Sequence, residues 1–215
     1  ANQFLTATAA LAAASPYQPD LNPPSLAGSA DNVNAFEGLV GVGHYVLEPG
    51  ETGAQLATAM ASGFSKEAAA VGLTTSTRVA GLNAYQLITA ASIVEREGYY
   101  PSNMPKVARV VFNRLAHHGP LQMDSTVKYP LGMDAGVVTP ALLQTVTPYN
   151  TYRVTGLTPT PICAVSTAAL TATLHAPPGP WYYFVVINKQ GVERFSVTYA
   201  EQQAAEKVAQ RNGVG

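Results

Sequence analysis

The sequence has one cysteine, few charged residues and no long apolar run. A single cysteine, Cys163, excludes an internal disulfide and a cysteine-rich metal site. Charged residues make up only 12% of the chain, the net charge is −1 and Lys and Arg form no run. This argues against nucleic acid or an anionic membrane as the main partner. No stretch approaches the roughly 20 apolar residues of a membrane span. With 47% hydrophobic residues among 215, the chain can still build one domain with a real core.

Several catalytic motifs are also missing. The chain has no His-Glu-x-x-His, no Gly-x-Ser-x-Gly, no Walker loop and no Cys-x-x-Cys. Gly41-Val-Gly43 lacks the third glycine of a dinucleotide loop, and the four histidines have no metal-ligand spacing. Cys163 lies beside prolines with no identifiable base, so we expect a buried structural thiol rather than a nucleophile. We therefore predict neither a metal nor a cofactor.

Hydrophobic periodicity and capping signals predict helices mixed with antiparallel strands, without a βαβ rhythm, which is the α+β class. Residues 1–35 are expected to hold a helix over 1–14 and a Pro-rich linker, and residues 36–215 the main domain. Strands are expected within 36–47 and in a hairpin of 181–187 with 194–197. Helices are expected at 52–63, 65–71, 83–97, 105–117, 139–145, 166–174 and 198–211.

Glu95 is the most informative residue in the chain, because it interrupts an otherwise apolar helical run. At 3.6 residues per turn, Ile88, Ser92 and Glu95 share the face that ought to be buried. A carboxyl pressed against apolar groups has its charged form disfavoured, so its pKa should rise, as a general acid near neutral pH requires. The alternative is a carboxylate that points to solvent at the helix end or pairs with Arg114.

Glu97 stands two residues further on, about 200° around the helix from Glu95. The two carboxylates therefore cannot share a face, and a local acid and base pair is excluded. Periodicity selects Glu95 for the core side. We expect Glu97 to face solvent or to pair with Arg96 or a loop.

Polar and aromatic residues are dense in two predicted loops. One is Pro120–Tyr129, with Gln122, and the other is Thr147–Tyr152, with Asn150 and Thr151. Amides, hydroxyls and tyrosine rings in a cleft would suit a neutral sugar. The alternative is that these side chains satisfy backbone groups of their own loops. The residues alone leave both interpretations open.

Six segments stand in a fixed order along the chain. They are Ala91-Ser-Ile-Val-Glu-Arg-Glu97, Val111-Phe-Asn-Arg-Leu115, Leu121-Gln-Met-Asp-Ser-Thr-Val127, Pro148-Tyr-Asn-Thr-Tyr152, Gly156-Leu-Thr-Pro and Tyr182-Tyr-Phe-Val185. With Phe36-Glu-Gly38 and the stretch from Tyr45 to Pro49, this set resembles the MltG (YceG-like) endolytic murein transglycosylases over roughly residues 36–200. Six pieces in register make the resemblance highly specific.

The resemblance implies that residues 36–215 form a YceG-like catalytic domain of a bacterial envelope enzyme on the outer face of the cytoplasmic membrane. Its partners would be peptidoglycan glycan strands, with cell-wall synthases as candidate protein partners, and it would need no cofactor. A membrane anchor and a LysM-like part would lie mostly upstream of Ala1, with residues 1–35 as a remnant of that part. By the resemblance the catalytic residue is Glu95, and the cleft residues are Gln122, Asp124, Thr126, Tyr149, Asn150 and Tyr152.

The chain departs from the family pattern at several positions. Asp124-Ser125-Thr126 stands where the family usually has Asp-Pro-Thr, and Thr158-Pro-Thr-Pro-Ile-Cys163 replaces a Pro-Gly-rich turn. Arg194-Phe195 replaces a His-Phe pair, and Glu201-Gln-Gln203 replaces Glu-His-Asn. The last two departures weaken the case for substrate contacts from the final strand and helix and leave Glu95 untouched.

The activity implied by the resemblance is cleavage of the MurNAc–GlcNAc β-1,4 bond with formation of 1,6-anhydroMurNAc ends. One carboxyl suffices as acid and then base, because the attacking hydroxyl belongs to the substrate. One rival is a hydrolytic muramidase that uses Glu95 and Asp124. The other is a non-catalytic peptidoglycan-binding scaffold.

Overall fold

The computed structural model describes residues 2–17, 36–98 and 100–214. In this part of the chain the helices are α1 (Asn2–Ala13), α2 (Gly53–Ala70), α3 (Ala84–Glu97), α4 (Met104–Ala116), α5 (Asp124–Lys128), α6 (Thr167–Leu174) and α7 (Tyr199–Arg211). The strands are β1 (Tyr183–Val186) and β2 (Glu193–Ser196), and 3-10 turns cover Tyr129–Leu131 and Leu142–Gln144. The predicted α+β class is correct.

Helix α3 lies at the centre of the core. Asn83 caps its start in a capping box with Gln86, as the sequence predicts for a helix beginning there. From Leu87 to Val94 every residue is buried, on all sides of the helix. A helix that is buried all round must be enclosed by other elements, and α3 packs against α4 and α6. Only its last turn, with the two glutamates, leaves the core.

Helix α4 buries an apolar stripe and uses its polar side to fasten the segment before the hairpin. Asn113 donates from Nδ2 to the carbonyl oxygens of Gly179 and Trp181 at 2.9 and 2.8 Å. Arg109 donates to the carbonyl oxygens of Ala176 and Pro177. These bonds satisfy backbone acceptors that have no partner strand.

In the part of the chain that the structure describes, the sheet is a two-stranded hairpin. Its strands pair antiparallel, from Tyr183 opposite Ser196 to Val186 opposite Glu193. Thr198 caps α7 in the predicted capping box with Glu201, and α7 packs on both strands. The predicted hairpin and final helix are therefore correct, with a first strand shorter than expected and a second strand shifted by one residue.

The predicted strands within 36–47 are wrong for this segment. Its backbone donors are taken by α2 rather than by a partner strand, because Gly41 N donates to the Met60 carbonyl and Val42 N to the Glu67 carboxylate. The predicted helix break at Gly63 is also wrong, since α2 runs through it. A Cβ at Gly63 would lie 2.4 Å from the Tyr45 hydroxyl oxygen, so glycine here permits a close contact.

Helix α1 packs against α2, and the core includes Ala12 and Tyr17 from this end of the chain. The Tyr17 ring meets Phe64 edge-on at 5.7 Å between centroids. Most of the predicted Pro-rich linker lies outside the described residues. Among the helices described, none is both long enough and apolar enough to cross a membrane.

Two loop predictions need correction. The predicted helix over 139–145 is only the 3-10 turn Leu142–Gln144. The predicted loop Pro120–Tyr129 contains α5, a single-turn helix that periodicity cannot detect at this length.

Candidate active site

Glu95 and Glu97 lie on opposite sides of the last turn of α3, as their spacing requires. Glu95 is half-buried, and its Oε2 accepts hydrogen bonds from the backbone N–H and the hydroxyl of Ser166 at 3.0 and 2.5 Å. Ser166 is the N-cap of α6, where a negative charge is favoured by the helix dipole. The Glu95 carboxylate therefore joins α3 to the start of α6.

Glu97 is held by α5 instead. Its Oε1 accepts hydrogen bonds from Ser125 N at 3.0 Å and from the Ser125 hydroxyl at 2.6 Å. Burial raises the pKa of Glu97, and Asp124 raises it further, against the Ser125 hydrogen bonds and the charge of Lys128. The expectation that Glu97 faces solvent is wrong, whereas the expected contact with the Pro120–Tyr129 segment is correct.

Arg114 lies beside Glu97 rather than pairing with Glu95. Its guanidinium donates to the carbonyl oxygens of Tyr182, at 2.7 Å, and of Leu121, and lies 5.6 Å from the Tyr183 ring centroid. Burial lowers the pKa of Arg114, while Tyr183, Tyr152 and Glu97 raise it. A cation fixed by backbone carbonyls thus stands near the carboxyl of Glu97 without a direct ion pair between them among the described contacts.

Asp124 and Tyr152 complete this cluster. The Tyr152 hydroxyl donates to Asp124 Oδ1 at 2.6 Å, and both side chains are partly exposed. The pKa of Tyr152 is raised by burial first and then by Asp124, so the phenol keeps its proton at neutral pH. Two of the predicted cleft residues are therefore brought together beside Glu97.

Three other predicted cleft residues, Thr126, Tyr149 and Asn150, are fully buried. Thr126 bonds to the Met123 carbonyl and to the Thr151 hydroxyl. The Tyr149 hydroxyl lies 2.7 Å from the Thr160 hydroxyl, and Asn150 donates to two carbonyls of the preceding loop. Asn150 therefore satisfies nearby backbone groups, the alternative that the residues left open, whereas Thr126 and Tyr149 also bond to hydroxyls of other segments.

Gln122 is exposed and has a positive φ of 52°. Its backbone N–H donates to the Thr151 carbonyl, so the chain is held in this left-handed conformation by a backbone contact. Such a conformation is uncommon outside glycine and is frequent at functional sites. The side chain stands at the surface just before α5.

A cavity of about 310 Å³ adjoins the Glu97 cluster, because Ser125 belongs to both. Its other lining residues are Glu37, Arg96, Tyr129, Gly132, Met133, Asp134, Ile162, Cys163 and Ala164. Burial raises the pKa of Glu37, against hydrogen bonds from Tyr129 and the Gly38 backbone. Burial likewise raises the pKa of Cys163 to about 12, and its thiol donates to the Ser92 carbonyl at 3.3 Å. Cys163 is thus a protonated thiol, in keeping with a structural role.

Several residues of this region are not among those predicted from the sequence. In the sequence, Ser125 stands out only as a departure from the family pattern, and Glu37 only as part of the Phe36-Glu-Gly38 segment. Arg114 has no local signal for its position, because its neighbours come from residues far along the chain. In the part of the chain that the structure describes, no group of His, Cys, Asp and Glu could hold a metal ion.

Comparison with known proteins adds a family. The model of the YceG-like family matches residues 2–208. The endolytic murein transglycosylase of Bacillus subtilis (strain 168) is 35% identical over 126 residues, which are 59% of this chain and 35% of that protein. The endolytic murein transglycosylase of Streptococcus pneumoniae serotype 2 (strain D39) is 31% identical over 127 residues, 57% of this chain and 22% of that protein.

Comparison with solved structures also finds a YceG-like protein. A crystal structure of a putative YceG-like protein from Listeria monocytogenes superposes with a TM-score of 0.76 at 26% identity, covering 94% of this chain and 63% of that one. The aligned region spans only about a third or less of the length of the two transglycosylases.

Proposed function

The chain belongs to the YceG-like family, and from this we propose that it is an endolytic lytic transglycosylase of the bacterial cell envelope. Its substrate is the peptidoglycan glycan strand, and the bond cleaved is the MurNAc–GlcNAc β-1,4 bond. The similarity to two endolytic murein transglycosylases supports the reaction class. Cell-wall synthases remain candidate partners, and a membrane anchor outside this chain remains a prediction.

The observation that carries the mechanism is the environment of Glu97. An acid that protonates a glycosidic oxygen must hold its proton near neutral pH, and burial raises the pKa of this carboxyl. Both hydrogen bonds from Ser125 reach Oε1. Among the described residues none donates to Oε2, which is therefore the oxygen best suited to carry the proton.

Glu95, the acid predicted from the sequence, is the second candidate. Its Oε2 accepts two hydrogen bonds from Ser166, the N-cap of α6. Ser125 makes the same two bonds to Glu97, so the hydrogen bonds do not separate the two glutamates, and the reason to prefer Glu97 is that burial raises its pKa. We therefore assign the acid to Glu97 and give Glu95 a positioning role.

In the proposed reaction, protonated Glu97 donates to the glycosidic oxygen while positive charge develops at C1 of MurNAc. The resulting carboxylate then accepts the proton of the MurNAc C6 hydroxyl, which attacks C1 and closes the 1,6-anhydro ring. Because nucleophile and electrophile belong to one sugar, effective molarities of about 10⁵ M or more are attainable without a second carboxylate. Asp124, Tyr152 and the exposed Gln122 orient the strand, and Arg114 stabilises Glu97 once it is charged.

A hydrolytic muramidase is the rival that a specific observation favours, since Asp124 is close enough to Glu97 to affect its pKa. With two carboxylates and a water molecule the new ends would be reducing sugars. The product therefore separates the two reactions. A scaffold that only binds peptidoglycan would release no product.

The test is digestion of purified sacculi by the wild type, Glu97→Gln and Glu95→Gln, with mass spectrometry of the released muropeptides. We expect anhydro ends from the wild type, a loss of at least about 100-fold in rate for Glu97→Gln, and a much smaller loss for Glu95→Gln. The reverse order would return the acid to Glu95. Reducing ends would favour the muramidase, and unchanged glycan with all three proteins would favour the scaffold.

A further inference from the structure

Arg96 stands between the two glutamates of α3 and has no part in the proposed proton transfer. It belongs to the wall of the 310 Å³ cavity that Ser125 also lines. Ser125 holds the proposed acid, so a strand bound at Glu97 would pass this cavity. Whatever Arg96 binds would therefore lie next to the cleaved sugar.

The present contacts of Arg96 are weak. Its Nη2 donates to the Asp134 carbonyl at 3.1 Å and lies 3.8 Å from Asp134 Oδ1. The Asp134 side chain is 98% exposed and that of Arg96 is 34% exposed, and ion pairs of this kind contribute little to stability. Within the described residues no other guanidinium nitrogen of Arg96 makes a hydrogen bond, so most of its five donors remain available.

Charge indicates the ligand. The acidic side chains of the cavity wall are Asp134, which already faces Arg96, and Glu37, whose negative charge is disfavoured because burial raises its pKa. Arg96 is the cation among the described lining residues, and a planar guanidinium matches a carboxylate with two parallel hydrogen bonds. The substrate proposed above carries such groups, since the peptide stems attached to MurNAc end in and contain carboxylates.

We propose that Arg96 binds a carboxylate of the peptide stem on the MurNAc next to the cleaved bond, and that Asp134 takes the place of this carboxylate while no strand is bound. The inference rests on the proposed function and adds that the site prefers glycan strands that carry peptide stems. The competing explanation is structural, with Arg96 and Asp134 only fastening the irregular segment 132–138 to α3.

The experiment compares two soluble glycan substrates, strands with native stems and the same strands with stem carboxyls converted to amides. Steady-state cleavage is measured for the wild type, Arg96→Gln, Asp134→Asn and, as a control, Arg153→Gln. Arg153 is an exposed arginine that donates to Gln144 outside the cavity wall. Thermal midpoints of all four proteins report on structural effects.

For native strands we expect Arg96→Gln to raise KM about tenfold, the size of a lost charge-assisted hydrogen bond, with kcat within about twofold. For amidated strands the wild type and Arg96→Gln should have the same KM. Asp134→Asn should leave KM for native strands equal or lower, because it removes a competitor, and Arg153→Gln should change nothing.

An equal effect of Arg96→Gln on both strand types, or an Asp134→Asn variant that behaves like Arg96→Gln, would overturn the inference in favour of the structural explanation. Cleavage of either strand by the wild type reports on the proposed function separately. Failing cleavage, the same comparison is made on dissociation constants of end-labelled strands, and equal constants for native and amidated strands overturn the inference.

Discussion

Two glutamates two residues apart on one helix are held by serines of two different elements. Glu95 meets the N-terminus of α6, where backbone N–H groups and the helix dipole stabilise a negative charge. Glu97 meets α5 in an enclosed position, where the loss of water disfavours its charge. Two residues of the same type thus hold different elements, Glu95 the start of α6 and Glu97 the helix α5, and we propose the second of them as the proton donor.

Ser125 affects the pKa of Glu97, the acid proposed above. Its hydrogen bonds lower the pKa of Glu97 against the larger effect of burial, so removing the hydroxyl should raise the pKa further. Because the acid works in its protonated form, Ser125→Ala should keep kcat high to a higher pH than the wild type does. The measurement is the alkaline limb of the kcat profile. Ser125→Thr keeps a hydroxyl and serves as the control. A limb that moves to lower pH, or does not move, would contradict this role.

Glu97 also links stability to pH. Its folded-state pKa is raised, so the folded protein binds more protons than the unfolded chain between the unfolded value, about 4.3, and the raised one. The wild type must therefore lose stability as pH rises through that window. Glu97→Gln lacks this loss, and its free energy of unfolding relative to the wild type should increase from about pH 4 to about pH 8.

Urea denaturation at both pH values measures that difference. Asp134→Asn removes one negative charge at a side chain that is almost fully exposed and serves as the control. A Glu97→Gln difference that stays constant or falls with pH would show that Glu97 is not held in a charge-disfavouring site.

At the scale of elements, α6 contacts Glu95 and α5 contacts Glu97, so these two helices give the glutamates different neighbours. Helix α6 begins at Ser166, which accepts from Ala169 N and donates to Glu95. Helix α5 has only five residues, too few to be stable alone, and it is fixed by Thr126 and Met123 through Thr151. The long-range contacts of each helix set where its glutamate lies.

Ser166→Ala removes both the cap of α6 and a hydrogen bond to the half-buried Glu95. We expect a loss of about 2 kcal/mol in the free energy of unfolding, with a rate of glycan cleavage reduced only a few-fold. Thr171→Ala, which removes an exposed intrahelical hydroxyl from the same helix, should cost less than about 0.5 kcal/mol. Urea denaturation and the sacculus digest measure the two effects. A loss of cleavage as severe as that of Glu97→Gln would instead point to Glu95 as the acid.

The elements that could be predicted are those with local signals. The helix starts predicted at Asn83 and Thr198 are correct, and each has a capping box in the structure, while the predicted hairpin turns at Asn188–Gly191. The errors arise where contacts with distant residues decide the local backbone structure. Gly63 lies inside α2, where the absence of a side chain leaves room for the Tyr45 hydroxyl, and Thr151 holds Met123 and Thr126 where α5 forms in a predicted loop.

In the candidate site, too, the sequence indicates residues that have a local signal, and distant residues decide the rest. The family segments indicate Glu95 as the catalytic residue and six cleft residues, of which the structure brings Asp124 and Tyr152 together beside Glu97. Periodicity favours Glu95 over Glu97 because it assumes that one face of α3 remains buried to the end. The last turn instead projects between α5 and α6, and their positions are not encoded in the local pattern.

At the scale of the whole molecule, α1 shares the core of the rest of the described chain. Tyr17 packs on Phe64, and Ala12 and Tyr17 belong to the same buried cluster as α3. The lone tryptophan, Trp181, packs against the same cluster and contacts Lys106 and Phe195. The boundary predicted near residue 35 stays a prediction that this packing makes testable.

Tyr17→Ala should lower the stability of the whole body by about 3 kcal/mol, because it opens a cavity against Phe64. The urea transition seen by Trp181 fluorescence should therefore shift together with the helical signal. Leu5→Ala, at an exposed position of α1, should leave both unchanged. A fluorescence transition that stays in place while the helical signal shifts would mean that residues 2–17 form a separate unit.

The identity of the attacking oxygen is decided by digesting sacculi with the wild type in water enriched in heavy oxygen. An attack by the C6 hydroxyl of MurNAc takes no oxygen from solvent, so we expect 1,6-anhydro ends without label. Labelled reducing ends would mean that water is the nucleophile, and the single-carboxyl mechanism centred on Glu97 would then be wrong.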